Sequence, residues 1–178
     1  PDIGFLRLPP TTAATLGATN SFLNLDKRRA EMVGAEPSSS YFDAVVGTVG
    51  RWTEDLAPLN PSTKRKGFTG LFGAGTIIKK YEVDGYDLFN FKPAEPDPGI
   101  ELPSDYGGVS GGGAWRAYLK VTANAYTLQE LRLLGVAFFQ IPAPPRGKPV
   151  LVCQGPRSVY ITLVDAIRQR WPASNSLP

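Results

Sequence analysis

The sequence predicts an all-β fold, an antiparallel barrel or sandwich that ends in a single helix. Short apolar segments alternate with turn residues along the 178-residue chain, which contains 19 glycines and 17 prolines. This composition favours many turns and short strands over long helices. Helical spacing of apolar residues is clear near the end of the sequence, at Leu163, Val164, Ile167 and Trp171, just before Pro172. Together these patterns predict a β-rich domain with an amphipathic C-terminal helix.

Runs of apolar and β-branched residues, bounded by turn residues, predict the strands. In chain order these are 3–8, 41–52, one or two strands within 69–83, 86–89 after a hairpin turn at Asp84-Gly85, 114–121, 131–141, 150–153 and 159–161. The remaining segments predict a connector with at most one short helix (11–40), a loop (55–67) and a long surface loop (92–105).

Charge and cysteine content limit the class of protein. The net charge of +3 is small, and its two basic clusters, at 64–66 and 27–29, are typical of solvated loops. The sequence has no basic stripe interleaved with aromatic residues, so no nucleic-acid partner is predicted. No apolar run approaches the ~18 residues that span a bilayer, so no membrane partner is predicted. Cys153, alone and within an apolar run, predicts a buried thiol and a reducing, cytoplasmic location without disulfides.

The run from 107 to 115 is the segment most suggestive of chemistry. It places the hydroxyl of Ser110 among five glycines, where the backbone can bend sharply and present its N–H groups beside the serine oxygen. A nucleophile next to an oxyanion hole is the arrangement that acyl transfer requires. The usual base is histidine, and the sequence contains none. With no histidine and one cysteine, the sequence predicts neither a metal site nor a cofactor.

Several segments, in order, resemble the trypsin/chymotrypsin-like serine peptidases. The segment 108–112 (GVSGG) resembles the nucleophile motif Gly-Asp-Ser-Gly-Gly, and 134–139 (LGVAFF) resembles the substrate-binding strand that follows it. Residues 158–162 with the helical pattern after them resemble the last strand and terminal helix. Residues 2–8 (DIGFLRL) resemble the strand that begins with the triad aspartate, and 41–52 resembles the first strand of the second barrel.

The resemblance implies a trypsin-like antiparallel β-barrel with a C-terminal α-helix. Residues 1–35 would form the end of the first barrel and the inter-barrel connector, and residues 36–178 the second barrel. Ser110 would be the nucleophile, Asp2 the residue that orients the histidine, and the N–H groups of Gly108 and Ser110 the oxyanion hole. The histidine would come from an upstream segment or chain, because the sequence begins at Pro1 without an initiator methionine and we expect a fragment of a longer polypeptide.

The resemblance also implies the substrate-binding residues of a serine endopeptidase acting on a protein or peptide. Ser104 would lie at the base of the primary pocket, Phe138, Phe139 and Gln140 along the substrate backbone, and Ser158 near the pocket wall. Gln140 replaces the usual glycine and would narrow the pocket. Val109 replaces the aspartate that pairs with a new N-terminus during zymogen activation, so that route is not expected here.

Two other functions are compatible with parts of the sequence. A catalytically inactive peptidase-like fold that serves as a protein-binding module would also explain the missing histidine. An esterase built on a Gly-x-Ser-x-Gly turn would require alternating strands and helices around the serine. The predicted all-strand pattern disfavours that arrangement.

Overall fold

A computed structural model of the chain describes residues 3–33, 35–37, 39–95, 98, 103, 105–123, 125–143 and 149–172. Its elements are mostly antiparallel strands, and a helix follows the last of them. The strands are β1 (Ser40–Thr48), β2 (Glu54–Leu56), β3 (Arg65–Gly67), β4 (Gly70–Val83), β5 (Tyr86–Pro93), β6 (Gly113–Thr122), β7 (Ala125–Ile141) and β8 (Val150–Gln154). The helices are α1 (Pro10–Gly17), α2 (Leu25–Val33) and α3 (Val164–Arg170), with a 3₁₀ turn at Gly50–Trp52 and a π-helical segment at Ser158–Leu163.

Six of the strands form one antiparallel sheet that closes on itself in the order β1-β4-β5-β8-β7-β6. The sheet consists of two three-stranded meanders, β1-β4-β5 and β6-β7-β8, joined along both edges. The connection between the meanders is the segment that carries Ser110. The remaining strands, β2 and β3, form a separate two-stranded ribbon inside a region expected to be a loop.

One half of the barrel interior is apolar. Its core combines side chains from all six strands and from the connecting segment, among them Val45, Leu71, Phe91, Val109 and Leu151. A second cluster lies between the barrel wall and the helical segments and includes Leu133, Val159 and Tyr160. Burial of these clusters provides the main driving force for the fold.

The other half of the interior is polar and centres on Arg116 of β6. Its guanidinium group donates to both carboxylate oxygens of Asp43 on β1, at 2.7 and 2.9 Å, and to Glu36 at 3.1 Å. The ring of Tyr41 lies 3.9 Å from the guanidinium carbon. The hydrogen bonds to Asp43 raise the pKa of Arg116 above its ordinary value, although burial opposes this. The Arg116 guanidinium therefore stays charged inside the protein, and its hydrogen bonds to Asp43 join β1 to β6.

The strand predicted at residues 159–161 is wrong. These residues belong to the π-helical segment, which continues directly into α3. The carboxylate of Asp87 accepts hydrogen bonds from the backbone N–H groups of Arg157 and Ser158, and so supplies partners for the start of the helix. Val159, Tyr160 and Val164 then lie buried on one side, at helical spacing. The predicted end of the helix near Pro172 is confirmed, since α3 ends at Arg170.

The strand predicted at residues 3–8 is also wrong, because these residues have no regular secondary structure. A strand needs a neighbour to satisfy its backbone groups, and in the described part of the chain none pairs with this segment. Instead, the ring of Phe5 packs edge-on against Trp171 at 5.2 Å. The segment thus follows the surface of the helical layer.

The connector contains two helices where at most one was expected. The side chain of Asn24 accepts a hydrogen bond from the N–H of Lys27 and caps α2. The helix α2 then lies against α3, with ion pairs from Arg29 to Asp165 and from Arg168 to Asp26. In the described part of the chain, no helix is both long enough and apolar enough to cross a membrane.

We predict that Asp43→Ala lowers the free energy of unfolding by about 3–5 kcal/mol, because it leaves the Arg116 charge buried without its main partner. Glu36→Ala should cost less than about 1 kcal/mol, because the Glu36 side chain is 60 % exposed. Urea unfolding followed by tryptophan fluorescence measures both. Equal losses for the two variants would show that the Asp43–Arg116 pair does not stabilise the barrel in this way.

Candidate functional site

The loop around Ser110 is held in place by Val109. Its side chain is only 1 % exposed and lies in the apolar core of the barrel, against Gly47 of β1. Residues on either side of it, including Gly108 and Ser110, are exposed. The loop therefore has one buried anchor in its centre and presents the serine to solvent. Val109 thus contributes apolar packing that holds the loop against the barrel.

The backbone N–H groups of this loop divide into two sets. Those of Gly107, Val109, Gly111 and Gly112 donate to Asp105 Oδ1, Tyr106 O, Ala137 O and Val109 O at 2.7–3.0 Å. Within the described residues, the N–H groups of Gly108 and Ser110 have no such acceptor. These are the two groups predicted to form the oxyanion hole. Unpaired donors in an exposed loop are available to an incoming oxyanion.

Glycine is required at position 108. Its φ of +95° lies in the left-handed region, and a Cβ there would be 2.6 Å from the backbone nitrogen of Gly50. The same nitrogen donates to the carbonyl oxygen of Gly107 at 2.7 Å. This contact fixes the orientation of the peptide unit that precedes Gly108. The position of its N–H group thus depends on the absence of a side chain.

Ser110 lies beside an open strand edge. Its hydroxyl donates to the carbonyl oxygen of Phe138 at 3.2 Å. The strand β7 pairs with β8 on one side as far as Ile141, whereas on the β6 side the described backbone pairing stops at Ala137, and beyond it the loop makes only the hydrogen bonds from Ser110 Oγ to Phe138 O and from the Tyr106 N–H to Gln140 Oε1. Within the described residues, this side of Phe138–Gln140 therefore has no strand partner next to the serine. An extended peptide can add to such an edge as a further strand.

A pocket of about 300 Å³ adjoins the serine. Its described lining comprises Asp105, Tyr106, Gly107, Val109, Ser110, Ala137, Phe138, Phe139, Gln140 and Leu151. The side-chain oxygen of Gln140 accepts the Tyr106 N–H at 2.6 Å, so this side chain joins the two walls. Burial raises the pKa of the Tyr106 phenol, which therefore stays neutral near pH 7. The pocket is consequently uncharged at Tyr106 and partly apolar.

The structure does not bring all the predicted site residues together. Ser110, Gly108, Phe138, Phe139 and Gln140 share one region of the surface. Asp2 and Ser104 lie outside the described residues. Ser158 is absent from the described lining of the pocket; it is fully buried at the start of the helical segment, where its hydroxyl donates to Asp87 Oδ1 at 2.6 Å.

Tyr106 and Asp105 were missed by sequence reasoning. Asp105 accepts the N–H of Gly107 two residues ahead, an Asx turn that sets the approach to the nucleophile loop. The sequence signal is the aspartate placed two residues before a glycine pair. Tyr106 is recognisable only in three dimensions, because its role depends on contact with Gln140, 34 residues later.

Cys153 takes no part in this site. It is fully buried in the barrel core, where burial raises the pKa of its thiol to about 12. In the described part of the chain, no group of three or more histidine, cysteine, aspartate or glutamate side chains is arranged to hold a metal ion. The chemistry available at the site is thus that of Ser110 and the loop around it.

Comparisons of the chain with known protein families, with curated proteins and with solved structures find no match.

We predict that Cys153 does not react with a thiol reagent in the folded protein. With a pKa of about 12, only about one thiol in ten thousand is ionised at pH 8, and the side chain is buried. Ellman's reagent at pH 8 should titrate no thiol in native buffer and one thiol per chain in 6 M guanidinium chloride. Rapid reaction in native buffer would contradict the burial of Cys153.

Proposed function

We propose that the chain is the nucleophile-bearing part of a trypsin-like serine endopeptidase, with Ser110 as the nucleophile. The observation that carries this proposal is the pattern of N–H groups in the loop. Four of them are hydrogen-bonded, and the two left without an acceptor among the described residues belong to Gly108 and to the exposed Ser110 itself.

The mechanism that fits this arrangement is acyl transfer. Ser110 Oγ attacks the scissile carbonyl, its proton passes to a base, and the resulting oxyanion accepts hydrogen bonds from the N–H groups of Gly108 and Ser110. The leaving amine takes the proton, and water then hydrolyses the acyl-enzyme by the same path in reverse. The substrate backbone pairs with the open edge at Phe138–Gln140 while the reacting carbonyl lies over the serine.

The base is a histidine that is not part of this sequence. It comes from another segment or chain that docks beside Ser110, and Asp2 orients it. An enzyme-held base has an effective concentration of about 10⁵ M or more. Dissolved imidazole at 1 M therefore restores only a small part of the rate, which is enough for covalent labelling of the serine but not for efficient turnover.

We expect a fluorophosphonate to label Ser110 in the presence of 0.5 M imidazole, and Ser110→Ala to abolish labelling. Gly108→Ala should slow labelling by about 100-fold, because a side chain there displaces an oxyanion donor. Gly111→Ala is the matched control: its φ is also left-handed, at +87°, but its N–H is already bonded to Ala137 and no atom lies within 4 Å of a Cβ at that position. Intact-mass spectrometry measures the rates.

Two results would contradict the proposal. The first is equal labelling rates for Gly108→Ala and Gly111→Ala at matched thermal stability. The second is robust hydrolysis of casein by the 178-residue chain without any added base, which would show that the general base lies elsewhere. Peptide binding at the Phe138–Gln140 edge without any serine labelling would instead favour a binding module on the same fold.

The pocket beside Ser110 favours substrates with a small side chain at the cleaved bond. The Gln140 side chain lines this pocket and accepts a hydrogen bond from the Tyr106 N–H, so we expect it to limit the room for a substrate side chain. In the imidazole assay, a peptidyl phosphonate ending in an alanine analogue should react faster than its phenylalanine analogue. Gln140→Gly should shift that ratio by about 10-fold toward phenylalanine, since filling or opening such a space is worth 1–3 kcal/mol. An unchanged ratio would remove Gln140 from substrate selection.

A further inference from the structure

A second open strand edge lies away from Ser110, where β1 and β4 separate. The two strands pair only from Asp43↔Gly75 to Thr48↔Gly70. Before this stretch, residues 40–42 of β1 pair with β6 alone, and after it, residues 76–83 of β4 pair with β5 alone. Within the described chain, both strands thus have backbone groups on their facing sides without a strand partner. We call the space between them the β1–β4 cleft.

The β1–β4 cleft is the site of a cavity of about 600 Å³. It is lined by residues 41–43 of β1, residues 75–80 of β4 and Arg116. Tyr41 and Ile78 are each about half exposed, at 53 % and 52 %. At roughly 3.4 Å per residue, Thr76–Lys80 presents about 17 Å of strand edge. This length suits a segment of four or five extended residues.

The charges of the cleft favour an acidic occupant. Arg116 pairs with Asp43 and Glu36; these three groups have a formal charge of −1, and Lys79 and Lys80 bring the total at the cleft to +1. Lys79 and Lys80 remain, and in the described part of the chain no carboxylate forms an ion pair with either; the amine of Lys79 lies 5.1 Å from the ring of Tyr81. A second copy pairing through the same edge would bring these lysines together, which is unfavourable. The occupant that satisfies both the backbone groups and the lysines is therefore a different, acidic strand.

We propose that the β1–β4 cleft binds an extended acidic peptide segment of a partner protein by strand addition. The backbone of the segment pairs with the edge of β4 at Thr76–Lys80. Its apolar side chains contact Tyr41 and Ile78, and its carboxylates lie near Lys79 and Lys80. This interaction does not depend on the chemistry proposed for Ser110, because the two sites share no lining residue.

The test uses three fluorescein-labelled seven-residue peptides that alternate valine with glutamate, with serine or with lysine. Fluorescence anisotropy at 50 mM and 300 mM NaCl should show the glutamate peptide binding at least about 10-fold more tightly than the lysine peptide, with weaker binding at high salt. Methylation of alternate backbone nitrogens of the glutamate peptide should weaken binding by a further ~10-fold, because it removes main-chain hydrogen bonds and keeps the side chains.

The charge reversal Lys79→Glu/Lys80→Glu should weaken binding of the glutamate peptide by at least about 10-fold. The matched control is Lys64→Glu/Lys66→Glu, which makes the same change in net charge in and beside the β2–β3 ribbon and should leave the affinity within about twofold. Both pairs of lysines lie on the surface. Thermal melts establish that each variant is folded.

Amide chemical shifts of the ¹⁵N-labelled protein locate the binding. Perturbations should centre on residues 40–42 and 76–80. Equal affinities for the three peptides, no loss on backbone methylation, or perturbations centred on 105–112 and 138–141 would overturn the proposal. So would a concentration-dependent dimer in sedimentation that protects the 76–80 amides, because the occupant would then be a second copy.

Discussion

The pairing of β1 with β6 is the constraint on which the rest of the structure depends. It closes the sheet, and its register runs from Ser40↔Leu119 to Val46↔Gly113. In the middle of this seam, the buried ion pair of Asp43 and Arg116 joins the two strands. Beyond its Val46↔Gly113 end, the chain passes from β1 to Gly50, whose N–H donates to the carbonyl oxygen of Gly107. The loop around Ser110 is thus shaped by a contact that exists only because the barrel is closed.

The side chains along the seam differ between the two ends of the barrel. Apolar packing dominates near the serine, where Val109 and Leu151 belong to one core. Charged groups dominate near Arg116, where β1 and β4 separate and leave strand edges exposed. A single closed sheet therefore presents two open edges with different neighbours. The edge at Phe138–Gln140 adjoins a hydroxyl group and free N–H donors, whereas the edge at Thr76–Lys80 adjoins lysines.

Much of the barrel could be predicted from the sequence, because its strands are local patterns. The segments predicted at 114–121, 131–141 and 150–153 all lie within observed strands, and the hairpin turn predicted at Asp84-Gly85 joins β4 to β5. The failures occurred where tertiary contacts override local preference. Residues 159–161 are β-branched or aromatic and favour a strand. They are helical because Asp87, 70 residues earlier, supplies the hydrogen-bond partners at the start of that helix.

The candidate site also combines features that the local sequence encodes with features that only tertiary contacts create. The glycine run made Ser110 and Gly108 visible in the sequence, because conformational freedom is encoded by glycine itself. The link between Gln140 and Tyr106 in the pocket wall was not visible, since it depends on a hydrogen bond between residues 34 positions apart in sequence. Ser158 was assigned to the pocket through the strand that proved helical, so its misplacement follows from that single error.

Val109, the buried residue at the centre of the loop around Ser110, limits how this loop can move. Segments that carry chemistry are usually among the least stable parts of a fold and open locally. Here Val109 belongs to the same core as Val45 and Val49, and burying a valine contributes roughly 1.5–3 kcal/mol. The loop cannot open without exposing part of that core. Its conformation is thereby tied to the cooperative unfolding of the barrel, and the serine is held in place for as long as the barrel stays folded.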